Sequence, residues 1–539
     1  MSKSGEKINI VKVLIVIVII VLLAAIILTV TRKTSNKSEV PSSTSKEEKV
    51  EKKSLEKIVE EFGGEIKDKP FDDVAVVEKA GETFTIYESG EILGGGLSVW
   101  TGESEEMTPD AEGNFHITNA NQLKWMADKI INGEKNFGGI TVFLETNIDL
   151  GARKDKDGNI TGNKWTSMVG FLDELPKDEK AQNEVKEEIV QEPNTTYENL
   201  KGFLGIFEGN NKAICGVYVD SDRDYQGLFG YVTGIVQNLS VQNSFIKGNN
   251  SVGAIAGLNT GKIENCKVAF NEVTGVNKIG GAVGNTVSAS TLSSVNSVEC
   301  KIVGEDYVGG IVGYVNDNVD MNICKNSSSV EGKKFVGGIS GITFFGCNVL
   351  SNTNTGNIKG QDSVGGIIGY SQATVEQSVN EGNIEGNDNS GGLIGINYSM
   401  ANISRSYNKG NVTGKNNIGG IVGVNNATIT STYNRGDIEA SLSKAGGVVG
   451  QNSKDSFVYS SYNTGTVTSK GSYAGIAGGN FGSITNSFYL DTCVEKVLDG
   501  TLDQRKSEEE LKNIVDQIGE DYILDSENKN DGYPILNWQ

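Results

Sequence analysis

Histidine is almost absent from this chain of 539 residues, which contains His116 alone. One histidine cannot build a three-histidine metal site, so any acid–base step would depend on carboxylates, tyrosines or lysines. The H-E-x-x-H motif of zinc peptidases needs two histidines one helical turn apart. His116 is followed by Ile117, and the chain therefore does not contain that motif.

Cysteine and proline are also scarce, with six residues of each. The cysteines lie far apart and form no C-x-x-C pair, so neither a zinc ribbon nor a thioredoxin-like motif is predicted. We interpret most of them as small buried apolar residues, with disulfides in an oxidising exterior as the alternative. They are Cys215, Cys266, Cys300, Cys324, Cys347 and Cys493.

Basic residues are outnumbered, because 48 Lys and Arg stand against 69 Asp and Glu, for a formal net charge of −21. Such a charge opposes binding to the phosphate backbone of nucleic acids or to an anionic membrane surface. We therefore expect no nucleic-acid partner, and no motif indicates a cofactor. Glycine, by contrast, occurs 69 times without the triplet period of collagen, which indicates a fold that needs glycine at spaced positions.

A long apolar run covers residues 13–30 and consists of Val, Ile, Leu and Ala with one Thr. It is long enough to cross most of a bilayer core, and Leu23 occupies a position where a signal-peptide cleavage site needs a small residue. We therefore predict a transmembrane anchor at 13–30 after a short cytoplasmic segment at 1–12, with a cleaved signal peptide as the alternative. This arrangement predicts a single-pass protein of the cell membrane with most of the chain outside the cytoplasm.

Residues 31–70 are rich in Ser, Lys and Glu and have few large apolar side chains, so we expect a polar stalk. Within it, Ser54 and the apolar face of Leu55 to Phe62 predict a short helix. A small β-rich segment is expected at 71–115, with Phe84 to Tyr87 as its clearest strand.

From residue 226 onward a short glycine motif occurs ten times, as in Gly419-Gly-Ile-Val-Gly423. The closing glycines are 26 to 29 residues apart, a period typical of solenoids. Each period contains three short apolar stretches and no helical pattern, which predicts a right-handed parallel β-helix with three strands per coil. The closing glycines are Gly230, Gly257, Gly284, Gly313, Gly341, Gly369, Gly395, Gly423, Gly450 and Gly478.

The third position of the motif, Ile421 in that copy, is almost always aliphatic and is predicted to face the core, whereas Val422 at the fourth is predicted to face outward. Glycines are expected where a positive φ or a close backbone approach excludes a side chain. Two asparagine rows are interpreted as structural, the first of them in left-handed turns. They are Asn259, Asn397, Asn425, Asn452 and Asn480, and then Asn326, Asn354, Asn380, Asn408, Asn434 and Asn463.

These copies, of which Gly392-Leu-Ile-Gly395 is typical, resemble the GLUG-motif repeat proteins of bacterial surfaces. Ile117 to Lys124 and Phe203 to Gly209 look like the opening coils of such proteins, and Asp531 to Leu536 looks like their usual ending. We therefore expect opening coils at 116–225, ten repeats at 226–490 and a C-terminal α/β cap at 491–539. The resemblance implies an adhesin-like role, or a place beside an immunoglobulin A peptidase domain.

Two residue groups are candidates for binding. An acidic run offers three carboxylates that suit calcium or the flank of a sugar, although most such runs are solvated loops. A tyrosine row, one residue per coil, predicts either a stacking surface for sugars or partner side chains, or a stack inside the fold. The acidic run is Asp220, Asp222 and Asp224, and the tyrosines are Tyr407, Tyr433 and Tyr462.

Together these features predict a membrane-anchored, extracytoplasmic structural or adhesive surface protein whose β-helical rod is presented to a macromolecule or another cell. A host or cell-wall glycan, or a protein, is the expected partner. No nucleophile–base motif is present, so we predict no enzymatic activity. The alternative is a polysaccharide lyase or hydrolase, because such enzymes also use β-helices.

Overall fold

The computed structural model describes residues 53–171, 200–287, 289–398, 400–495 and 504–539. The cytoplasmic segment and the transmembrane anchor expected at 1–12 and 13–30 lie outside these ranges. Within the ranges, no helix has the length and hydropathy needed to cross a bilayer. The predicted fold class is therefore corrected: the described chain is a parallel β-solenoid with a few short helices outside its repeats, and it has no membrane-spanning helix.

The described chain begins with a helix packed on a small antiparallel sheet. Ser54 caps the helix, which buries Leu55 and Val59 against the sheet. The described part of the stretch expected to be a stalk is thus folded, because the apolar face of the helix packs on a sheet. The elements are α1 (Leu55–Phe62) and, in sheet order, β1 (Glu65–Phe71), β2 (Val74–Lys79), β3 (Glu82–Tyr87) and β4 (Ile92–Gly94), which form the N-terminal sheet.

The solenoid consists of three long parallel sheets, named here A, B and C. The glycine motifs lead into the strands of sheet A, which are Phe229–Val232, Ala256–Asn259, Val283–Thr286, Val312–Val315, Ser340–Thr343, Ile368–Ser371, Ile394–Asn397, Val422–Asn425, Val449–Asn452 and Ala477–Asn480. Sheet C contains Tyr218–Asp220, Phe245–Lys247, Asn250–Val252, Glu272–Thr274, Asn277–Gly280, Lys301–Val303, Asp306–Gly309, Ser329–Glu331, Lys334–Gly337, Ile358–Lys359, Asp362–Gly365, Ile384–Glu385, Asp388–Gly391, Val412–Gly419, Ile438–Gly446, Val467–Ser469 and Tyr473–Ala474.

Sheet B is the sheet on which the candidate site lies. Its strands are Leu97–Val99, Phe115–Ile117, Thr141–Leu144, Asn147–Asp149, Ile206–Cys215, Ile235–Gln242, Lys262–Glu264, Lys267–Ala269, Thr291–Ser293, Asn296–Val298, Asp320–Asn322, Lys325–Asn326, Asn348–Leu350, Thr353–Asn354, Thr374–Glu376, Val379–Asn380, Asn402–Asn408, Thr428–Asn434, Phe457–Asn463, Ser483–Thr485, Phe488–Leu490 and Arg505–Lys506. Equivalent residues of neighbouring coils pair in parallel, as Ile403 does with Ile429. This pairing confirms the predicted parallel β-helix, whereas its hand stays a prediction.

The core of the solenoid is continuous along the coils, and both Ile421 and Val422 belong to it with 0% exposure. The prediction that Val422 faces outward is wrong. Gly420 and Ile421 form a bend before the strand that starts at Val422. The alternation of inward and outward side chains holds only along a strand, so it does not extend across this bend.

The glycines of the motif serve close packing rather than a positive φ. Gly338 is not among the residues with positive φ, and a Cβ atom on it would overlap the carbonyl oxygen of Gly366 and the side chain of Asn354. Left-handed backbone occurs instead at other positions, which include a row in sheet C and a corner of sheet B. At that corner the successive residues are Asn238, Asn265, Ser294, Ile323, Ser351, Gln377, Arg405, Ser431, Ser460 and Asn486.

Both asparagine rows form ladders. In the second row, Asn326 Nδ2 donates to Asn354 Oδ1 at 2.7 Å, and the pattern continues through Asn463. In the first row, Asn397 donates to Asn425 at 2.9 Å. The first row was expected in left-handed turns, but these residues end strands of sheet A and have no positive φ. The structural role is confirmed, and the backbone conformation is corrected.

A helix of the first coils was not anticipated. The helix α2 (Ala120–Ile131) is capped by Asn119, whose side chain accepts the N–H of Gln122 at 3.0 Å. Its buried residues Leu123, Met126 and Ile130 join the core of the first coils. The spacing of these residues is a helical signal. All six cysteines are buried and unpaired, which confirms their interpretation as apolar residues.

Candidate functional site

A single row of outward-facing residues follows sheet B from one end to the other, with one residue in each coil. The parallel register stacks each residue on its equivalent in the next coil. We call it the flank row: Ala213, Ser240, Lys267, Asn296, Lys325, Thr353, Val379, Tyr407, Tyr433, Tyr462 and Phe488. Its chemistry changes from small and polar to aromatic along the rod.

The N-terminal sheet covers the start of the flank row. Ala213 and Cys215 form a cluster with Val74 and Tyr87 of that sheet. The hydroxyl of Tyr87 donates to Asp149 Oδ2 at 3.1 Å on the outer face of sheet B, and burial raises the pKa of Tyr87 well above its usual range. This contact fixes the N-terminal sheet against the first coils.

Arg153 adds ion pairs to the contact between the N-terminal sheet and the first coils. Its guanidinium donates to Asp149 Oδ2 at 2.8 Å and to Asp73 Oδ1 at 2.8 Å, so it joins the rod to the loop between β1 and β2. Asp149 is fully buried. A buried carboxylate needs such a partner, because an unpaired buried charge is strongly destabilising.

The C-terminal segment, residues 504–539, covers the opposite end. It contains α3 (Glu508–Lys512), α4 (Val515–Ile518) and the paired strands Tyr522–Ile523 and Ile535–Leu536. Tyr462 donates to the carbonyl oxygen of Pro534 at 2.5 Å, and Trp538 Nε1 donates to that of Arg405 at 2.9 Å. The segment expected to be a cap thus packs along the flank of the rod.

The C-terminal segment covers the three predicted tyrosines. Tyr407 and Tyr433 stack with ring centroids 4.7 Å apart, and Tyr433 and Tyr462 stack at 5.0 Å. Tyr433 and Tyr462 are fully buried and Tyr407 nearly so, and burial raises the pKa of Tyr407 to about 12. They lie on the outside of the solenoid beneath the C-terminal segment, so neither an exposed binding strip nor an interior stack describes them.

Between the two covered ends the flank row is open. Ser240, Lys267, Asn296, Lys325 and Thr353 occupy five successive coils, which at about 4.8 Å per coil span about 19 Å. A groove of about 480 Å³ lies over this stretch, and a cavity of about 220 Å³ beside it shares Lys267 and Asn296. We call the larger one the flank groove, defined by Lys267, Ser294, Asn296, Ile323, Lys325 and Thr353.

The flank groove contains positive charge in a strongly acidic chain. Lys267 Nζ pairs with Glu91 of the N-terminal region at 2.9 Å. Lys325 is exposed and forms no ion pair with any residue that the structure describes. Within the described ranges, no Asp or Glu lines this groove, whose bordering residues mainly carry hydroxyl or amide groups, while most of the surface that it exposes is apolar.

Two residues of the flank groove, Ser294 and Ile323, have a left-handed backbone, and Ile323 is the β-branched one. Ile323 has a φ of 59° and is 51% exposed. A β-branched residue in the left-handed region is an outlier, and such strain is concentrated at functional sites. The neighbouring corner residues Ser294 and Ser351 are smaller and polar. The sequence signal was available, since steps of 26 to 29 residues back from Tyr407 lead along the flank row to Ser240.

A second groove, of about 690 Å³, lies on sheet C. Its charges are mixed, with Glu299, Glu331 and Glu385 beside Lys301 and Lys359. Lys359 pairs with Glu385 at 3.1 Å. It is larger than the flank groove, but its charges largely offset one another, and Glu299 in its lining also has a left-handed backbone, with a φ of 49°.

The acidic run does not converge on one point. Hydrogen bonds from Lys164 and Lys247 hold the pKa of Asp220 below its usual range. Asp224 accepts the backbone N–H of Asn250 at 3.0 Å, and Asp222 is exposed. In the described part of the chain, no group of three or more His, Cys, Asp or Glu has a geometry that could hold a metal ion.

Comparison with known proteins adds little. No protein-family model matches the chain, and no curated protein matches it in sequence. A solved structure described as a "putative immunoglobulin A1 protease from Bacteroides ovatus" is similar, with 17% identity, a TM-score of 0.32, and coverage of 81% of this chain and 96% of that one. The resemblance to GLUG-motif proteins therefore stays a prediction from the sequence.

Proposed function

We propose that this protein is a binding rod without catalytic activity of its own, and that the flank groove is its binding surface. One observation carries the proposal: the flank row is covered at both ends by the chain's own segments and is open only where its residues are polar. A surface that is left open between two packed segments suits an external partner.

The chemistry of the groove supports binding over catalysis. Glycosidases place two carboxylates across the scissile bond, and catalytic groups have perturbed pKa values in a cleft. The described lining of the flank groove offers Ser, Thr, Asn and Lys instead. These groups donate and accept hydrogen bonds and attract anions. We propose an adhesive or structural role outside the cytoplasm, for which the resemblance of the repeats is the support.

A bulky side chain in the groove tests this proposal. Thr353→Trp places an indole on the floor of the flank groove, and Thr468→Trp makes the same exchange at an exposed strand position of sheet C. We expect the purified full chain to bind target cells and a glycan array, Thr353→Trp to abolish that binding, and Thr468→Trp to retain it. Thr413→Trp blocks the groove of sheet C and is expected to retain binding as well.

Two results would contradict the proposal. Loss of binding in Thr413→Trp but not in Thr353→Trp would assign the function to sheet C. A fall in polysaccharide chain length on incubation with the protein would show turnover, and would favour the alternative of a lyase or hydrolase. Circular dichroism of each variant confirms that the coils are intact.

A further inference from the structure

We infer that the ligand of the flank groove is an acidic polysaccharide, a chain of sugars that bear carboxylates. The inference rests on the proposed function of the groove and adds the chemical class of its ligand. Three features carry it: the charge of the groove, a lining that combines hydroxyl and amide groups with a larger apolar surface, as the two faces of a sugar ring require, and a buried acceptor in the adjoining cavity.

The charge of the groove contrasts with that of the molecule. The chain carries a formal charge of −21, yet Lys267 and Lys325 are the charged residues that line the flank groove in the described structure. Lys267 is oriented by its pair with Glu91, whereas Lys325 is free of any described acidic partner. An unpaired ammonium beside hydroxyl and amide groups is complementary to a carboxylate.

The lining favours a sugar chain over an acidic peptide. Asn296, Ser327, Thr353 and Thr355 present hydroxyls and an amide, and they match the many hydroxyls of a polysaccharide. A peptide is generally recognised through a free strand edge, through apolar pockets for its side chains or, when it is acidic, through a cluster of arginines, and no arginine is among the described residues that line this groove. Here every described coil of this stretch is paired on both sides, and Ile323 is the exposed apolar residue of the groove.

The adjoining cavity of about 220 Å³ contains an unsatisfied acceptor. Gln242 is fully buried, its Nε2 donates to Ser240 Oγ at 2.6 Å, and its Oε1 has no hydrogen-bond partner in the described structure. Buried polar groups are normally satisfied, so a missing partner indicates a group that arrives from outside. This oxygen is covered by protein, and once the Gln242 side chain turns into the cavity it matches a hydroxyl donor, which a sugar carries and a bare carboxylate lacks.

A charge reversal with a matched control tests the inference. Lys325→Glu and Lys454→Glu each reverse one exposed lysine, and Lys454 lies in a turn outside the flank groove. The probes are polygalacturonate, neutral dextran and polyglutamate, with the purified full chain. We expect polygalacturonate to bind most tightly, its Kd to rise about tenfold in Lys325→Glu and to change less than about twofold in Lys454→Glu. Added salt should weaken this binding.

The outcomes separate the inference from the proposed function. If dextran binds as tightly as polygalacturonate and Lys325→Glu has no effect, the ligand is not an acidic polysaccharide. If Thr353→Trp abolishes that binding, the flank groove is still the binding surface. Tighter binding of polyglutamate than of polygalacturonate would replace the polysaccharide by an acidic peptide. If Thr353→Trp changes the binding of no probe and of no cell, both the inference and the proposed function fail.

Discussion

At the scale of single residues, Ile323 is the side chain whose backbone conformation agrees least with its chemistry. It adopts a φ of 59° at a corner where Asn265 and Ser294 occupy the equivalent positions. Strain of this kind costs on the order of 1–3 kcal/mol and persists where the surroundings or the function require it. Ile323 is exposed within the flank groove, so the core does not require it.

We predict that Ile323→Asn raises the free energy of unfolding by about 1 kcal/mol, because asparagine tolerates the left-handed region. The same change should weaken binding in the flank groove, since it removes the exposed apolar surface there. Urea unfolding and a binding assay measure the two effects. Ser351→Asn, at the same corner one coil further on, should change stability by less than about 0.5 kcal/mol. A loss of stability in Ile323→Asn would contradict the strain argument.

His116 is expected to make the stability of the protein depend on pH. Its Nδ1 lies 2.7 Å from Glu145 Oε1 and its Nε2 lies 3.1 Å from Asp110 Oδ2. These hydrogen bonds, first that of Glu145, raise the pKa of His116 above its usual 6.5. A raised pKa contributes stability that is fully present below about pH 6.5 and is lost as the pH rises through the folded-state pKa.

His116→Gln is therefore expected to lower stability below pH 6.5 and to have little effect at alkaline pH. As the chain has one histidine, a single imidazole resonance reports the titration by NMR without ambiguity. A folded-state pKa at or below 6.5, or an effect of His116→Gln that does not change with pH, would contradict the ion pairing with Glu145 and Asp110.

At the scale of the elements, the glycines of the motif allow the coils to approach closely. Gly338→Ala is expected to destabilise the rod by several kcal/mol, about 3 in order of magnitude, because the added Cβ atom meets backbone and a ladder asparagine. Gly479→Ala is the control, since its Cβ atom would meet only the flexible side chain of Lys444, at 3.4 Å. Equal unfolding midpoints in urea would show that the coils can separate without cost.

The periodicity of the sequence predicted some of the structural elements and missed others. The repeat of the glycine motif and the asparagine rows predict strands, stacking and ladders, because each signal recurs in every coil. The inward direction of Val422 was not predicted because the chain bends at Gly420. Side chains alternate between inward and outward only along a straight strand. The helix α2 was missed because it occurs once and overlaps Ile117 to Lys124, the residues that resemble opening coils.

At the scale of the whole molecule, the flank groove exists because two distant parts of the chain leave a gap. Glu91 reaches Lys267 at one end, and Gln539 Nε2 donates to the hydroxyl of Tyr433 at 2.9 Å near the other. These residues are far apart in sequence and share no period, so the tyrosine row was predicted while its cover was not. The open stretch could be located only from the folded structure.

Lysine footprinting tests whether the flank groove is the binding surface of the protein. Acetylation of the purified full chain, read by mass spectrometry with and without saturating polygalacturonate, compares Lys325 with Lys301 and Lys359 of the sheet C groove. The account predicts that the polysaccharide protects Lys325 and leaves the labelling of Lys301 and Lys359 unchanged. Protection of Lys301 and Lys359 with Lys325 still fully reactive would contradict it.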